Sequence, residues 1–314
     1  KYETMRAILG NLSDTDIRLL RVFIVVAQAG GLSAAELELN IGRSTISRHL
    51  KDLETRLGMV LCHRGRGGFA LTEEGKRIYE STQRLLLSLQ DFRNEVNDMH
   101  RHLQGNVVVA MFDKTVSNEA CKVSDAIYAY QQQAPNVNVE IHVVPVNTIE
   151  QGILDGRYHI GIIPTHRTSS SLHYLPLFGE QMYLYCGAKH PLFSALGNIP
   201  DTAIRDAKYA GLSFHSPNMD KSMALGLNRM AVANDQEGIA TLICSGSYLG
   251  FLPEHYAESF VGKGQMRAIE PANFAYHCDF AAIYRKSPKP TRLVKLFLDA
   301  LAREHGKEAI IADD

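Results

Sequence analysis

The hydrophobic positions of the first thirty residues repeat with the spacing of an α-helix. The apolar stripe advances in steps of three or four residues through Ile17, Leu20, Ile24 and Ala27. Such spacing places all of them on one helical face. Ser13 is a typical N-cap residue for this helix, with Asp16 at the third helical position. Gly30 and Gly31 predict where the helix ends.

Two more helices are predicted around a tight turn. Ser33 and Glu36 have the spacing of a capping box, and residues 40–42 are a turn sequence. A third helix is predicted from about Arg43 to Leu57, with its inward positions at Ile46, Leu50, Leu53 and Leu57. In that phase, the outward side carries Ser44, Arg48, Lys51 and Thr55. This arrangement is typical of a helix-turn-helix, whose second helix enters the DNA major groove.

A glycine-rich hairpin is predicted after the third helix. Gly65, Gly67 and Gly68 separate two short apolar segments, and Arg64 and Arg66 lie at the turn. Basic residues at such a tip contact phosphates. Residues 43–66 contain six Lys or Arg and two acids, whereas the whole chain has a net charge of −1. DNA binding is therefore supported by the local charge, although a small helical domain with a solvated basic face remains the alternative.

A narrow apolar seam follows the hairpin. Thr72 is a typical N-cap residue, with Glu73 and Glu74 in the first turn. Apolar side chains then recur with heptad spacing at Ile78, Leu85, Leu89, Phe92, Val96, Met99 and Leu103. No proline or glycine interrupts residues 76–104. The seam predicts a coiled coil between two copies, and the alternative is a surface helix packed on its own domain.

Strand and helix patterns alternate through the last two-thirds of the chain, after Gly105. Strands are predicted at residues 106–112, 138–146, 158–164, 182–186, 209–214, 248–252 and 280–284. Helices are predicted at residues 116–134, 148–154, 219–228, 236–245 and 291–305. This alternation favours a mostly parallel sheet covered by helices.

Composition narrows the range of functions. The five cysteines form no C-x-x-C pair, which favours a reducing cytosol. The 13 histidines show no metal-ligand spacing, and no apolar run reaches the roughly 18 residues of a membrane span. We expect no cofactor, no metal and no membrane partner. No nucleophile elbow, P-loop or dinucleotide motif is present, and a triad of Asp113, Ser117 and His215 has little weight, so no enzyme is predicted.

Against this background, residues 20–75 resemble the N-terminal winged helix-turn-helix of LysR-type transcriptional regulators. The matching positions are Phe23, Ala34, Ala35, Leu39, Ser47, Arg48, Leu53, Glu54, Leu57, Gly58, Leu61, Arg64, Leu71, Thr72 and Gly75. The chain departs from the family pattern in three places. Glu36 replaces a third alanine, Gly42 and Arg43 replace Ser-Gln, and Cys62 replaces a phenylalanine.

The resemblance implies roles for the residues of this first domain. Base edges in the major groove would be contacted by Arg43, Ser44, Thr45 and Arg48. The DNA backbone would be held by Ser33, Lys51, Arg64 and Arg66. The seam helix would be the linker that pairs two protomers, so that two recognition helices read two half-sites.

The C-terminal part resembles the effector domain of the same family, which is similar to periplasmic solute-binding proteins. Gly156 and residues 246–253 match that pattern, whereas the common aspartate is replaced by His159. An effector would bind between two lobes, at the carboxyl ends of strands. The predicted lining is Lys114, Thr115, Val144, Pro164, Thr165, Phe214 and His215. If Lys114 points inward, an anionic effector is favoured; solvent exposure of Lys114 is the alternative.

The fold class expected is therefore an α+β multidomain protein, built from a winged helix-turn-helix, a coiled-coil linker helix and a two-lobed α/β effector domain. The expected boundaries are 1–71, 72–104 and 105–314, with lobes of about 105–166 plus 278–314 and about 167–277. A cytoplasmic dimer or tetramer would bind promoter DNA, a small effector and RNA polymerase. Two alternatives stay open: a thiol-based redox regulator using Cys121 or Cys186, and a solute-binding or enzymatic domain whose helix-turn-helix contacts protein.

Overall fold

The computed structural model describes residues 10–65, 68–99, 103–195 and 198–308 and divides the chain into two compact units, Lys1–Leu89 and Gln90–Asp314. The first unit contains helices α1 (Asp14–Ala29), α2 (Leu32–Leu39) and α3 (Arg43–Leu57), strands β1 (Cys62–Gly65) and β2 (Gly68–Leu71), and the start of helix α4 (Glu73–Met99). β1 and β2 pair antiparallel and form the predicted hairpin.

Helix α1 begins and ends as the sequence predicts. The Ser13 hydroxyl accepts a hydrogen bond from the Asp16 amide at 3.4 Å, and the Asp16 carboxylate accepts one from the Ser13 amide at 2.8 Å. Gly30 ends the helix with φ 75°, a left-handed conformation that favours glycine. The same Asp16 carboxylate is fully buried, and it receives a hydrogen bond from Arg56 Nη2 of α3 at 2.8 Å. The α1 cap therefore also joins α1 to α3.

The capping box predicted at Ser33 is wrong. The N-cap residue of α2 lies two residues earlier, at Gly31, without a side-chain cap, and the helix starts at Leu32. Ser33 consequently lies inside the first turn and is exposed. Glu36 instead accepts a hydrogen bond from the Arg43 amide at 2.6 Å. That bond spans the turn and satisfies an amide at the start of α3, which otherwise has no partner within the helix.

The core of the first unit lies between α1, α2 and α3. Its largest fully buried side chains include Phe23, Ile46, Leu50 and Leu53. The predicted phase of α3 is confirmed, because Ile46, Leu50, Leu53 and Leu57 are all buried. Burial of an apolar side chain of this size contributes about 1.5–3 kcal/mol.

Helix α4 contacts its own unit over its first half. Thr72 is its cap, since the hydroxyl accepts a hydrogen bond from the Gly75 amide at 2.8 Å. Ile78 and Leu85 pack against the core of the first unit. These two seam positions therefore fit the alternative prediction, a helix packed on its own domain. Further along, Phe92 is 65% exposed and Val96 is 38% exposed.

The predicted C-terminal end of this helix needs correction. The described helix ends at Met99, whose side chain lies outside the described part, and Leu103 belongs to no element. Strand β3 already begins at Gln104, so Gly105 is a strand residue rather than a helix stop. Gly105 has φ +150°, and a Cβ there would lie 1.9 Å from Asn94 Oδ1. The positive φ favours glycine here, and any larger residue would also have to displace the Asn94 side chain.

The second unit is a nine-stranded mixed sheet with helices against it. Its strands are β3 (Gln104–Met111), β4 (Asn136–Val143), β5 (Ile160–Pro164), β6 (Leu172–Gly187), β7 (Lys208–Leu212), β8 (Asn228–Ala233), β9 (Leu249–Pro253), β10 (Met266–Ala268) and β11 (Ala275–Arg285). Its helices are α5 (Val123–Gln133), α6 (Val146–Asp155), α7 (Asp201–Asp206), α8 (Pro217–Ala224), α9 (Gln236–Cys244), α10 (Glu254–Gly262) and α11 (Arg292–Glu304). The strand order is β4-β3-β5-β11-β6-β9-β7-β8, and β10 pairs with β6.

Two parallel sheets are joined through two antiparallel strands. β3 pairs parallel with β4 and β5 in one lobe, and β7 pairs parallel with β8 and β9 in the other. β6 and β11 pair antiparallel with each other and pass between the lobes. The structure therefore confirms the sequence-based expectation of two strand–helix lobes, each mostly parallel, joined by two crossing strands. The ladder between β6 and β11 shifts register between Asp279 and Ala281.

The helix predicted at 116–134 is only partly present. A single 3-10 turn covers Thr115–Ser117, and α5 starts at Val123. Between them, the Asn118 side chain accepts a hydrogen bond from the Ala120 amide at 3.0 Å, a local bond that competes with helix formation. The sequence patterns also missed β8, α10 and β10.

The last turns of α4 are bound to the sheet of the second unit. His159 Nδ1 accepts a hydrogen bond from the Val108 amide at 2.8 Å, and Nε2 lies 2.8 Å from Asp91 Oδ1. Because Nδ1 is the acceptor, the proton of a neutral ring is on Nε2 and is donated to Asp91. Asn94 donates to the Asn106 carbonyl at 3.4 Å. These contacts attach α4 to the lobe that contains β3.

Candidate DNA-binding surface and effector cleft

The outward face of α3 is polar and basic. Ser44, Arg48, Lys51 and Thr55 are exposed, on the side of α3 opposite its buried leucines. Arg43 is also exposed at the first position of the helix, and Thr45 is half-buried. The positive end of the helix dipole therefore lies beside two hydroxyls and an arginine, which together favour phosphate oxygens and base acceptors.

One of the cations counted in the sequence does not belong to this face. Arg56 is only partly buried, and its guanidinium pairs with the buried carboxylate of Asp16. Its guanidinium, helped by the Ser13 hydroxyl and amide, lowers the pKa of the Asp16 carboxyl to about 2. Of the predicted backbone contacts, Ser33 is exposed, the Arg64 side chain lies outside the described part, and Arg66 lies outside the described residues.

The position of the hairpin is fixed by a carboxylate that the sequence analysis did not identify as structural. Glu54 Oε1 of α3 accepts hydrogen bonds from the Leu61 amide at 2.9 Å and the Cys62 amide at 3.3 Å. On the other side, a Cβ at Gly75 would lie 1.9 Å from the Leu61 carbonyl oxygen. Glu54 and Gly75 thus hold the strand at a fixed distance from α3 and α4. The only sequence signal for this role is their place in the family pattern.

The two lobes of the second unit meet at the carboxyl ends of their strands. Phe112 after β3 makes an edge contact with Phe214 after β7, with ring centroids 6.0 Å apart. The Asp113 Oδ2 atom accepts a hydrogen bond from the Gln236 amide at 2.9 Å, at the N-terminus of α9. The cavity between these groups is only ≈ 10 Å³, about the space of one water molecule. The cleft is therefore closed in this structure.

Five buried polar atoms at the cleft have no hydrogen-bond partner among the described residues. They are Asp113 Oδ1, Gln236 Oε1, His166 Nε2, Thr115 Oγ1 and Asn218 Nδ2. The first two are acceptors, because an ionised carboxylate and an amide oxygen carry no proton, whereas Asn218 Nδ2 is a donor. Leaving such groups buried and unbonded costs about 1–3 kcal/mol each. A ligand that donates hydrogen bonds would remove this cost at Asp113 and Gln236.

The predicted lining residues have different environments. Thr115, Pro164 and Phe214 are buried at the strand ends, and Val144 is half-buried. Lys114 pairs with Glu237 and lies 5.1 Å from the centroid of the Tyr256 ring. Its charge is consequently compensated within the protein, so the argument for an anionic effector loses its support.

The remaining two predicted lining residues make contacts at the edge of the cleft. The Thr165 hydroxyl donates to the Asp279 carbonyl at 2.9 Å. His215 is exposed. Its ring is tilted by 41° against that of His166, with centroids 5.0 Å apart, and its Nε2 atom lies 3.1 Å from Asp220 Oδ1. The sequence analysis missed Gln236 as a cleft residue, although its place at the start of a predicted helix was a usable signal.

Replacing Asp113 with asparagine should make the stability of the folded chain less dependent on pH. Burial raises the pKa of Asp113 from its ordinary value of 3.8 to about 6. Ionisation therefore destabilises the folded form relative to the unfolded chain, by an amount that is absent below about pH 4, grows to about 3 kcal/mol near pH 6 and stays constant above it. Thermal unfolding should show D113N more stable than the wild type at pH 7.5 and equal to it at pH 4. An exposed control, D125N, should show no such divergence; a difference independent of pH would contradict the assignment.

The alternative chemistries have little support among the described side chains. Burial raises the pKa of the thiols of Cys121, Cys244 and Cys278, and raises that of Cys186 to about 11, which disfavours reactive thiolates. Asp113, Ser117 and His215 do not assemble, because each bonds to a different partner. No cluster of three potential metal ligands occurs in the described segments.

No single described helix has the length and apolar character needed to cross a membrane. The bent pair α1 and α2 passes that test together by composition alone, and its apolar residues form the core of the first unit.

The fold and the site together define a class of protein. It is a two-domain regulator with an N-terminal DNA-binding domain and a C-terminal ligand-binding domain. Residues 17–76 match the family "Bacterial regulatory helix-turn-helix protein, lysR family", and residues 100–306 match "LysR substrate binding domain". The chain belongs to the LysR family of transcriptional regulators, with an effector-binding domain. That membership favours neither the thiol-based alternative nor the protein-interaction alternative.

Individual relatives agree with this assignment. The chain is 42% identical over 295 residues to the "HTH-type transcriptional activator BauR" of Pseudomonas aeruginosa, covering 94% of this chain and 97% of the relative. It is 30% identical over 178 residues to a probable regulator, LrrA, of Synechococcus elongatus, covering 56% and 59%. Its fold is similar to CbnR, a LysR family regulator, with a TM-score of 0.65 at 18% identity over 92% of this chain and 99% of that one. CbnR bound to its target DNA gives 0.63 at 19% identity, with the same coverage.

Proposed function

We propose that two copies of this chain bind one partly palindromic promoter site and activate transcription when an effector occupies the cleft. The observation that carries this proposal is the exposed stripe of Ser44, Arg48 and Lys51 on α3, opposite a fully buried apolar face. The residues assigned to base edges in the major groove are Arg43, Ser44, Thr45 and Arg48. Those assigned to phosphates are Ser33, Lys51, Arg64 and Arg66. Activation is supported by the name of the 42% identical relative.

Binding-site selection with the purified protein tests this proposal. At ~150 mM salt, near physiological ionic strength, the selection should enrich a partly palindromic sequence with half-sites about one helical turn apart. The genes beside the enriched sites would supply candidate effectors. A footprint with no sequence preference, both alone and in cell extract, would contradict the proposed regulatory site.

Self-association is assigned to the second half of α4. Phe92 and Val96 share one helical face and remain exposed, whereas Ile78 and Leu85 are already used within the first unit. An exposed phenylalanine on a heptad seam favours pairing with the same helix of a second copy. Leu89, which is half-buried, continues this face, and the role proposed for Met99 stays a prediction. Leu103 is left out because it lies beyond the described helix.

Replacing Phe92 with aspartate should weaken the dimer by at least about tenfold, because a charge would be buried against an apolar partner. Sedimentation analysis across a concentration series measures this directly. Phe92→Leu keeps an apolar side chain and should remain dimeric. A monomer–dimer equilibrium that F92D leaves unchanged would place the interface elsewhere.

The effector is proposed to carry a hydrogen-bond donor, such as an amine. Asp113 Oδ1 and Gln236 Oε1 are the buried acceptors that it would satisfy. Propylamine and propionate, which match in size, can be compared as probes of thermal unfolding. The amine should stabilise the wild type more than it stabilises D113N; stabilisation by propionate alone would favour an anionic effector instead. RNA polymerase contact, tetramer formation and a cytoplasmic location complete the proposal and rest on the family.

A further inference from the structure

A second and much larger cavity opens between the lobes, apart from the effector cleft. Its volume is ≈ 870 Å³, within the range of small-ligand sites. Its wall combines Glu119 from the lobe of β3 with Tyr183 and Tyr185 of β6 and with Glu254, His255 and Glu258 of α10. None of the residues that line it also lines the closed cavity of the cleft. We name it the acidic cavity.

The charge of the acidic cavity is of one sign. Glu119, Glu254 and Glu258 are exposed to it, and no lysine or arginine is part of the lining. Among the described residues, none of these three carboxylates forms an ion pair. Like charges that converge on a concave surface raise the local concentration of cations. The field of this cavity therefore selects a positively charged occupant.

A buried phenol provides an independent sign of a ligand. Tyr185 is only 3% exposed, and it lines the acidic cavity. The hydroxyl forms no hydrogen bond with another described residue, and it is not among the fully buried atoms that lack a partner, so it reaches the cavity. Burial and the neighbouring Glu254 raise the pKa of this phenol, so it is neutral and able to accept a hydrogen bond from a ligand.

The spacing of the acidic groups argues against a metal ion. No three carboxylate, imidazole or thiol groups among the described residues come close enough together to coordinate one. Carboxylates distributed around a wide cavity match an extended organic cation, which carries its charges several bonds apart. Ammonium groups also supply the N–H donors that the Tyr185 hydroxyl and the carboxylates can accept.

The acidic cavity is connected to the contact between the lobes. The Ser117 hydroxyl, from the lobe of β3, lies 2.8 Å from His255 Nδ1 of α10. The other ring nitrogen, Nε2, lies 3.0 Å from Glu180, a buried carboxylate of the crossing strand β6. An occupant held between Glu119 and Glu258 would therefore reinforce an existing interlobe contact. Binding in this cavity would favour the closed arrangement of the lobes.

We propose that the acidic cavity is a second ligand site, for a small organic compound with one or more ammonium groups, distinct from the effector cleft. Glu258 and Glu119 bind the ammonium groups from opposite lobes, and the Tyr185 hydroxyl accepts a hydrogen bond from one of them. The proposal does not depend on DNA recognition or on the identity of the cleft effector.

Calorimetric titration of the full chain with putrescine tests this site. 1,4-Butanediol serves as the matched neutral probe, because it has the same length and no charge. Putrescine should bind and the diol should not. Glu258→Gln and Tyr185→Phe should each weaken putrescine about three- to tenfold, the effect of losing one contact to a charged group. Glu304→Gln removes an exposed carboxylate on α11 and should leave the affinity unchanged.

A further variant separates this site from the cleft. D113N should retain putrescine binding, because Asp113 does not line the acidic cavity. The inference is overturned by any of three results: no heat with putrescine at up to about 10 mM, equal binding of the diol, or loss of binding in D113N with E258Q unaffected. Thermal unfolding of each variant confirms that it is folded, and Glu119→Gln replaces E258Q if that variant is not.

Discussion

Replacing Arg48 with alanine is expected to lower affinity for the selected promoter site by about ten- to a hundredfold for each half-site. Arg48 is exposed on the second turn of α3, where a long side chain reaches the base edges of the major groove. A bidentate contact to a base is worth about 1–3 kcal/mol. Fluorescence anisotropy with the selected duplex and with a scrambled duplex measures both affinity and specificity.

The control for this variant is an arginine of the second unit. Arg303 is exposed on α11, so Arg303→Ala removes the same charge without changing α3. If Arg48 contacts bases, R48A should lose affinity for the selected duplex and little for the scrambled one. An equal loss on both duplexes would instead assign Arg48 to phosphates, and unchanged binding would remove it from the interface.

Replacing Arg56 with methionine is expected to destabilise the first unit. The variant keeps an apolar stem of similar length, but it leaves the buried Asp16 carboxylate with only its Ser13 donors and without its partly exposed cationic partner. Leaving a buried charge without its counter-ion is more costly than removing both charges. The thermal midpoint of the first unit should fall by at least about five degrees. DNA binding should weaken with it, although Arg56 does not belong to the outward face of α3.

The double variant D16N/R56M provides the control for this prediction. Removing both charges should recover part of the lost stability, and a double variant less stable than R56M would contradict the argument. The pH dependence gives a second test. Because the Asp16 pKa is lowered from 3.8 to about 2, its contribution is complete above about pH 4 and is lost as the pH falls toward 2. R56M should therefore lose most of this acid-dependent part.

The first unit could be predicted closely because its sequence carries strong local signals. The cap at Ser13, the bounds of α3 and the turn of the hairpin each follow from residues within a few positions of one another. The same local reasoning was wrong at Glu36 because of a contact with the next helix. Its carboxylate accepts a hydrogen bond from the Arg43 amide, seven residues away, and does not cap its own helix. The pairing of Asp16 with Arg56, forty residues apart, has no local signal at all.

The second unit was less predictable, for a related reason. Strand β8 lies at the edge of the sheet, and its apolar residues Met230 and Val232 are exposed, so they do not mark a buried face. Helix α10 begins directly after β9 and has no polar N-cap residue. At the cleft, the predicted strand ends are where the two lobes meet. The partners of Lys114 and Asp113 come from α9, more than a hundred residues later, so the charge of the site could not be deduced from its own segment.

The irregular step between β6 and β11 has a mechanical consequence. The register shift at Asp279 and Ala281 lies opposite Pro176 and Gly179, where proline has no amide to donate and the ladder is weakest. If one lobe rotates relative to the other about this line, the displacement of each strand grows with its distance from the line. β8 lies three strands beyond β6, or roughly 14 Å at the usual spacing, so each degree of rotation moves it by about 0.25 Å. The outermost strand, β8, would therefore move farthest. The contact between His159 and Asp91 of α4 belongs to the other lobe, relative to which this rotation is measured.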